Sequence, residues 1–243
     1  MNNLKKRFVV LCHEDFNYIK NKTGNMLIRY RSDEVVAVID KDKVGSNCEK
    51  EIGVGGNTPV LANFNASLAL KPNTLVIGNA TQGGFITEEY RGEIINAINA
   101  GCDVISGMHQ FLNDDEDLKK LAHQKGVSLV DLRMPPDPPH FPEGSWHNRK
   151  VPVLLIVGTD CDTGKMTTAW EVAKRLKERG RKVEFIGTGQ TGILLSGSGV
   201  PIDAVKADFM AGEIEHLIDS APQDTELVII EGQGALTNQF YAG

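Results

Sequence analysis

Cysteines, aromatic residues and long apolar runs are all scarce in this sequence. Only four cysteines occur in 243 residues, and aromatic residues make up 6% of the chain. Because no two cysteines form a C-x-x-C pair, a zinc site or a disulfide framework is not expected. No apolar run reaches the length of about 18 residues that spans a membrane, and the N-terminal residues turn acidic too soon for a signal peptide. We therefore expect reduced thiols, a cytoplasmic location and no membrane partner.

Clusters of basic residues are also missing, and the net charge is −6 at pH 7. This charge argues against nucleic acid as a partner and leaves small molecules as the expected ligands. The dinucleotide fingerprint G-x-G-x-x-G is absent from the first strand–turn segment, so bound NAD is not expected, although Asp40 ends the second apolar run where an acidic group would meet a ribose.

Short apolar runs alternate with helical patterns along most of the chain, which predicts an α/β protein with parallel sheets. A length of 243 residues favours about two domains. We place a Rossmann-like, doubly wound N-terminal domain at residues 1–134 and a P-loop NTPase-like domain at residues 151–243. The proline-rich residues 135–150 between them predict an extended linker.

The first domain contains one candidate ligand contact, the glycine-rich loop of residues 78–85, which follows the third predicted strand. Ligands of such sheets lie at the carboxyl ends of the strands, but a tight turn explains the loop equally well. His109 ends the fourth strand in the same region, and a structural role is the preferred interpretation of it.

The clearest motif is VPVLLIVGTDCDTGKMTT at residues 151–168, an apolar strand that leads through a glycine-bounded loop into a helix. Unpaired N–H groups at a helix N-terminus and an adjacent lysine favour an anion. We therefore predict that a phosphate-bearing cofactor contacts Gly158, Thr159, Asp160, Cys161, Asp162, Thr163, Gly164, Lys165, Met166, Thr167 and Thr168. A second glycine-rich loop, GTGQTG, follows the next strand and adds Gly189, Gln190 and Thr191 to this prediction.

The motif departs from the usual P-loop, in which four residues separate the glycines and a hydroxyl residue follows the lysine. Here five residues intervene and Met166 follows Lys165, so a metal-binding hydroxyl would come from Thr167 or Thr168. A later apolar strand ends in Glu231, as a carboxylate that binds Mg²⁺ beside a P-loop does. We predict Thr167, Asp208 and Glu231 as ligands of a Mg²⁺ ion, and Lys165, Asp208 and Glu231 as catalytic residues.

Three phrases of the second domain, VGTDCDTGKMTTA, IGTGQTGILLSG and VIIEGQGAL, resemble the DgcN-like family, and NAGCDVISGMHQFL resembles its N-terminal domain. The resemblance implies a Rossmann-like domain joined to a P-loop domain, and an acetyl-CoA-dependent N-acetyltransferase acting on D-glutamate. More distantly, the loop and the E-G-x-G phrase (Glu231, Gly232, Gly234) are similar to dethiobiotin synthetase, in which the equivalent glutamate binds Mg²⁺ beside ATP.

Family members continue past the QFYAG sequence at residues 239–243, so the resemblance implies a P-loop domain that is incomplete at its C-terminus. Only three strands are clear in this domain, which is few for an open sheet, and we expect a homo-oligomer.

Three functions remain open. The first is an acetyl-CoA-dependent N-acetyltransferase that acts on a small acidic amino acid. The second is an ATP- and Mg²⁺-dependent ligase or phosphotransferase of the dethiobiotin synthetase type. The third is a non-catalytic nucleotide-binding protein. Met166 weakens the metal site and so favours phosphate binding over phosphoryl transfer, although Thr167 offers a substitute hydroxyl.

Overall fold

The computed structural model describes residues 5–79 and 84–237. The chain divides into two compact units between Leu132 and Arg133. The first unit has the extent predicted for the N-terminal domain to within two residues. The second unit includes residues 135–150, which the sequence had indicated as a linker.

The first unit contains a six-stranded sheet in the order β3-β2-β1-β4-β5-β6, in which every strand pair is parallel. Its strands are β1 Phe8–Leu11, β2 Val35–Ile39, β3 Val60–Leu61, β4 Thr74–Ile77, β5 Asp103–Ser106 and β6 Leu129–Asp131. The order reverses direction between β1 and β4, as in a doubly wound sheet, so the predicted Rossmann-like fold is confirmed.

Among the residues described in this unit, the α-helices that connect these strands are α1 Lys22–Tyr30, α2 Cys48–Ile52, α3 Glu88–Asn99 and α4 Glu116–Lys125. Side-chain caps fix where α3 and α4 begin, since Thr87 Oγ1 accepts from Tyr90 N at 3.3 Å and Asp115 Oδ1 accepts from Leu118 N at 3.0 Å. The cap of α4 is Asp115 because a 3₁₀ turn, Leu112–Asp114, precedes it.

The second unit contains a three-stranded parallel sheet among its described residues, in the order β7-β9-β8. The strands are β7 Val153–Ile156, β8 Val183–Ile186 and β9 Leu227–Glu231, and the helices are α5 Lys165–Glu178, α6 Gln190–Ser196 and α7 Ala207–Asp219. Ala169 and Ala173 of α5 pack on one face of this sheet, and Ile218 of α7 packs on the other. The central strand β9 therefore lies between the P-loop strand β7 and β8, with all three carboxyl ends at one edge.

Residues 140–149 make hydrogen bonds and an ion pair with α7. The buried carboxylate of Glu213 accepts from His140 N at 2.7 Å and lies 3.0 Å from His140 Nδ1. Glu215 accepts from Glu143 N at 2.6 Å and from Ser145 N, while Arg149 pairs with Asp219 at 2.9 Å. These contacts, which we call the α7 clamp, explain why the proline-rich segment belongs to the second unit.

Replacing Glu213 with alanine is expected to destabilise the second unit by about 1–3 kcal/mol, because the His140 N–H group loses its acceptor. Glu213 is only 1% exposed, so water does not readily take the place of its carboxylate as the hydrogen-bond acceptor. Urea unfolding of Glu213→Ala checks this, with Glu178→Ala as the control, since Glu178 lies on the exposed end of α5. Equal midpoints for the two variants would show that the α7 clamp adds nothing to stability.

The same contacts predict a pH dependence. The pKa of the Glu215 carboxyl is lowered, first by hydrogen bonding from Ser145, with a further contribution from Glu143 N. The ionised carboxylate therefore stabilises the fold above the unfolded-state pKa of about 4.3, and this stabilisation is lost as the pH falls through the lower folded-state value. We expect the urea midpoint of the wild type to drop on acidification below about pH 5, and that of Glu215→Gln to drop less.

Candidate functional site

The loop between β7 and α5 curls tightly, as the glycine-bounded sequence predicts. A Cβ atom on Gly158 would lie 2.3 Å from Thr163 Oγ1 and 2.9 Å from Lys165 Cγ, so only glycine fits there. Asp162 has φ 54° and Gly164 has φ 89°, both in the left-handed region. These two residues turn the backbone so that α5 begins at Lys165, directly beyond the carboxyl end of β7.

The N-terminus of α5 has no capping side chain among the described residues and no acidic residue in its first turn. Its N-cap is Gly164, and backbone hydrogen bonding within the helix begins with Thr168 N, which donates to Gly164 O at 2.9 Å. In contrast, α3 and α4 are capped by Thr87 and Asp115. The N–H groups of the first turn of α5 are therefore oriented for an anion, and the helix dipole favours one.

Lys165 lies at the centre of this loop. It is only 9% exposed, and its Nζ donates to Asp160 O at 2.8 Å. The stem passes close to Gly232, where a Cβ atom would lie 3.6 Å from Lys165 Cδ. The backbone of the loop thus holds the ammonium group near the N-terminus of α5, next to the segment that follows β9.

Glu231 is placed by the register of the sheet, in which it lies opposite Ile156 of β7. The side chain is 5% exposed. Its Oε2 atom accepts from Thr188 N at 3.3 Å, and its Oε1 atom accepts from Gln233 Nε2 at 3.0 Å. N–H donors therefore hold both carboxylate oxygens in place.

Two glycines of the second loop make room for this arrangement. A Cβ atom on Gly192 would lie 2.1 Å from Glu231 Oε2, and one on Gly189 would lie 2.4 Å from Gln233 Nε2. The start of α6 can therefore approach Glu231 closely. Of the predicted residues, Gly189 and Gln190 are half-buried here, and Thr191 is 7% exposed on α6.

The structure brings together most, but not all, of the predicted site. Residues 158–168, Lys165, Glu231 and residues 189–191 lie at the same edge of the sheet, Met166 is buried and Thr167 is half-buried. Asp208 is exposed in the first turn of α7, whereas Glu231 is buried at the end of β9. No group of three or more His, Cys, Asp or Glu side chains within residues 5–79 and 84–237 is arranged to hold a metal. The metal ligands Thr167, Asp208 and Glu231 therefore stay a prediction.

Sequence reasoning missed Thr188 and Gln233 as partners of Glu231. Thr188 Oγ1 also donates to Glu231 O at 2.5 Å, so this residue binds both the backbone and the carboxylate of the glutamate. The available signal was the spacing, since Gln233 follows Glu231 by two residues and Thr188 follows the adjacent strand β8.

The candidate ligand contacts of the first unit are Asp40, His109 and the loop at residues 78–85. Residues 80–83 of the loop at 78–85 lie outside the described residues. Gly84 approaches His109 closely, since a Cβ atom there would lie 2.6 Å from His109 Cδ2. Asp40 is fully buried, and its carboxylate accepts from Phe16 N at 3.1 Å and from Asp42 N at 3.0 Å. These contacts give Asp40 a structural role in holding the loops after β1 and β2.

None of the helices within the described ranges combines the length and the apolar character that crossing a membrane requires.

The fold and the site together define a two-domain α/β protein with a Rossmann-like unit and a P-loop unit. Comparison with known families agrees, since residues 41–135 match the Rossmann-like domain, and residues 140–243 the P-loop domain, of a family described as a domain of unknown function, DUF1611. A crystal structure of a DUF1611 family protein from Anabaena variabilis is 35% identical, with a TM-score of 0.89 over 98% of this chain and 69% of that one. The chain belongs to the DUF1611 family.

Two curated relatives carry a functional name. A protein from Tritonibacter scottomollicae called D-glutamate N-acetyltransferase is 44% identical over 70% of this chain. Another of the same name, from a Pseudoalteromonas species, is 39% identical over 81% of this chain. The chain spans 50% and 59% of the length of these two relatives.

Proposed function

We propose that this protein is an acetyl-CoA-dependent N-acetyltransferase whose acceptor is the amino group of a small acidic amino acid such as D-glutamate. The observation that carries the proposal is the uncapped N-terminus of α5, which begins at buried Lys165, together with buried Glu231 at the end of β9, opposite Ile156 of the P-loop strand. The names of the two curated relatives support the same activity.

The P-loop fits the diphosphate of coenzyme A. The N–H groups of the first turn of α5 face the loop, and Lys165 Nζ contributes a positive charge that at present contacts the neutral carbonyl of Asp160. A charge-assisted hydrogen bond from Lys165 Nζ to a phosphate oxygen is stronger than its bond to this carbonyl. We therefore expect the ammonium group to turn from the carbonyl to the phosphate when the ligand binds. In this proposal the loop binds and orients the cofactor and takes no part in bond breaking.

The transfer itself needs a base and an oxyanion site. The amine nitrogen attacks the thioester carbonyl carbon, the carbon–sulfur bond breaks, and coenzyme A leaves as a thiolate that takes up the proton released by the nitrogen as the amide forms. Because the acceptor is an ammonium ion near neutral pH, it loses a proton before attack. We assign Glu231 as the acceptor of this proton, since its carboxylate lies at the end of β9 beside the P-loop strand and hydrogen bonds from Thr188 N and Gln233 Nε2 fix its position. N–H groups of residues 189–191 are the proposed donors to the oxyanion.

One observation favours the alternative, an ATP- and Mg²⁺-dependent ligase or phosphotransferase. Glu231 lies at the tip of β9 directly opposite Ile156 of the P-loop strand, where phosphate-transferring P-loop enzymes place a metal-binding carboxylate. Thr167 is half-buried at the start of α5 and could supply the hydroxyl ligand, whereas Met166 is buried and contributes no oxygen.

Calorimetric titration with acetyl-CoA and, separately, with ATP and Mg²⁺ distinguishes these functions. The proposal expects binding of acetyl-CoA without a metal ion, followed by N-acetylation when D-glutamate is added. Binding of ATP that depends on Mg²⁺, together with no acetylation of any acidic amino acid, would replace the proposal with the alternative. Nucleotide binding without turnover of either kind would indicate a non-catalytic nucleotide-binding protein.

A further inference from the structure

A line of hydrogen-bonded polar side chains in the first unit ends at a carboxylate that solvent can reach. The hydroxyl of Tyr90 donates to Asn79 Oδ1 at 2.8 Å, and Asn79 Nδ2 donates to Asp15 Oδ2 at 3.0 Å. Tyr90 and Asn79 are 3% and 7% exposed, whereas the side chain of Asp15 is 24% exposed. Because buried polar groups are costly unless they are paired, the two buried side chains of this relay are fixed, and they orient the carboxylate of Asp15.

The backbone next to Asp15 is also fixed. Phe16 is fully buried, its N–H group donates to Asp40 Oδ2 at 3.1 Å, and its carbonyl accepts from Lys43 Nζ at 2.6 Å. Asp40 and Lys43 belong to the segment after β2, whereas Asn79 follows β4. Asp15 is therefore held from the loops of two different strands. A group positioned in this way loses little freedom when a ligand binds, which favours affinity.

The relay lies at the point where the strand order of the sheet reverses. Asp15 follows β1 and Asn79 follows β4, and these are the two strands between which the order changes direction. Ligands of open α/β sheets bind in the crevice outside the carboxyl ends of the strands at this point. The relay thus presents a carboxylate at the place where a sheet of this order binds its ligands.

The charges around Asp15 define the chemistry of the ligand. Asp15 Oδ1 lies 3.0 Å from Lys20 Nζ, and the side chain of Lys20 is 64% exposed. Exposed ion pairs contribute little to stability, so the ammonium group of a ligand can take the place of this lysine. The displaced lysine is then available for a carboxylate of the same ligand. Lys41, at the same edge, already pairs with Glu14 at 2.7 Å and with Glu89 at 2.9 Å.

We propose that Asp15 and Lys20 form a binding site for a free amino acid, in which Asp15 accepts from the ammonium group and Lys20 pairs with the carboxylate. Both residues belong to the first unit. The inference does not rest on the proposed function, because this binding needs neither acetyl-CoA nor the P-loop. The amino acid is either the acceptor of the proposed transfer or a separate effector, and both have the same ammonium and carboxylate groups.

Calorimetric titration of the 243-residue chain in the absence of acetyl-CoA tests the site. The probes are glycine, L-lysine and D-glutamate, which share the two recognised groups and differ in side-chain charge. We expect at least one of them to bind, and Asp15→Asn to weaken its binding about tenfold or more, because a charge-assisted hydrogen bond is lost. Asp33→Asn is the matched control, since Asp33 forms an exposed ion pair with Lys5 at 3.2 Å. This control should bind as the wild type does.

Lys20→Met provides a test in which two ligands respond in opposite directions. The variant lacks the partner of the ligand carboxylate, so the amino acid should bind severalfold more weakly. Propylamine has an ammonium group and no carboxylate, and it should bind Lys20→Met more tightly than the wild type because no lysine competes for Asp15. A purely structural ion pair predicts no such opposite changes. Circular dichroism checks that the variants fold, as the exposure of Asp15 and Lys20 leads us to expect.

The role of the amino acid follows from acetylation kinetics. A raised KM for D-glutamate in Asp15→Asn identifies the bound amino acid as the acceptor, and an unchanged KM identifies it as an effector. Lys165→Met separates this site from the P-loop, since it should lose acetyl-CoA binding and keep the affinity for the amino acid. A wild type that binds the amino acid and no acetyl-CoA would contradict the proposed function and support the site.

Three results would overturn the inference. The first is that none of the three amino acids binds. The second is that Asp15→Asn binds as tightly as the wild type, or that Lys20→Met weakens the binding of propylamine. The third is that Lys165→Met abolishes binding of the amino acid, which would place the ligand at the P-loop.

Discussion

Replacing Lys165 with alanine is expected to weaken binding of the phosphate-bearing ligand by about 2–3 kcal/mol, or roughly 30- to 150-fold, because a charge-assisted hydrogen bond to phosphate is lost. The side chain is 9% exposed and its stem lies next to Gly232, so alanine also removes buried packing. Lys165→Met is therefore the better variant, since it keeps most of the stem and removes only the charge. Calorimetric titration with acetyl-CoA and with ATP–Mg²⁺ measures the effect.

The matched control is Lys174→Met on the same helix, where the lysine is exposed and its Nζ lies 3.6 Å from Glu178 Oε1. This variant should bind as the wild type does. Crystals soaked in sulfate provide an independent check, because the anion should lie over the N–H groups of residues 162–167. Wild-type affinity in Lys165→Met, together with sulfate bound only elsewhere, would mean that the loop is a structural turn.

Replacing Glu231 with glutamine should lower turnover in the proposed acetyl transfer by roughly 10²- to 10⁴-fold while changing the affinity for acetyl-CoA little, because a general base is lost and the phosphate contacts are not. Glutamine is nearly the same size, which matters because a Cβ atom on neighbouring Gly192 would already lie 2.1 Å from Glu231 Oε2. Asp208→Asn is the comparison variant, since Asp208 is exposed in the first turn of α7.

Chelation separates the two enzymatic functions in the same assay. Acetylation that continues in EDTA agrees with the proposed reaction, which needs no metal ion. Acetylation that stops in EDTA and returns with Mg²⁺ would contradict it and would favour Glu231 as a metal ligand, with Thr167 and Asp208 as its predicted partners. If Glu231→Gln abolishes binding as well as turnover, the role of a base is excluded.

The sheets could be predicted because most strands are short apolar runs bounded by turn residues. The apolar patterns at Val153–Val157 and Glu226–Ile230 predicted both strands that hold the site, which the structure has at Val153–Ile156 and Leu227–Glu231. In contrast, β3 has only two residues, Val60–Leu61, which is too short to produce a periodic pattern. The loop at residues 158–164 was also predictable, because the tight turn of the backbone itself requires its glycines and does not depend on contacts with distant residues.

The partners of Glu231 could not be predicted from the sequence in the same way. They depend on β9 lying between β7 and β8, which brings Thr188 N within 3.3 Å of the carboxylate from a loop 43 residues away. The clamp on α7 was missed for a related reason. Glu213 and Glu215 resemble a solvated helix face in sequence, but they are 1% and 6% exposed because residues 140–149 cover them.

The α7 clamp determines where the P-loop unit can be excised as an independent folding unit. A recombinant fragment that starts at residue 151, where the apolar P-loop strand begins, would lack the backbone donors of His140, Glu143 and Ser145. Two carboxylates would then be exposed on α7, and Gly212 would lose the chain that packs against it at His140 and Phe141. A fragment that begins at Arg133 keeps these contacts, so limited proteolysis should cut ahead of the prolines rather than after them.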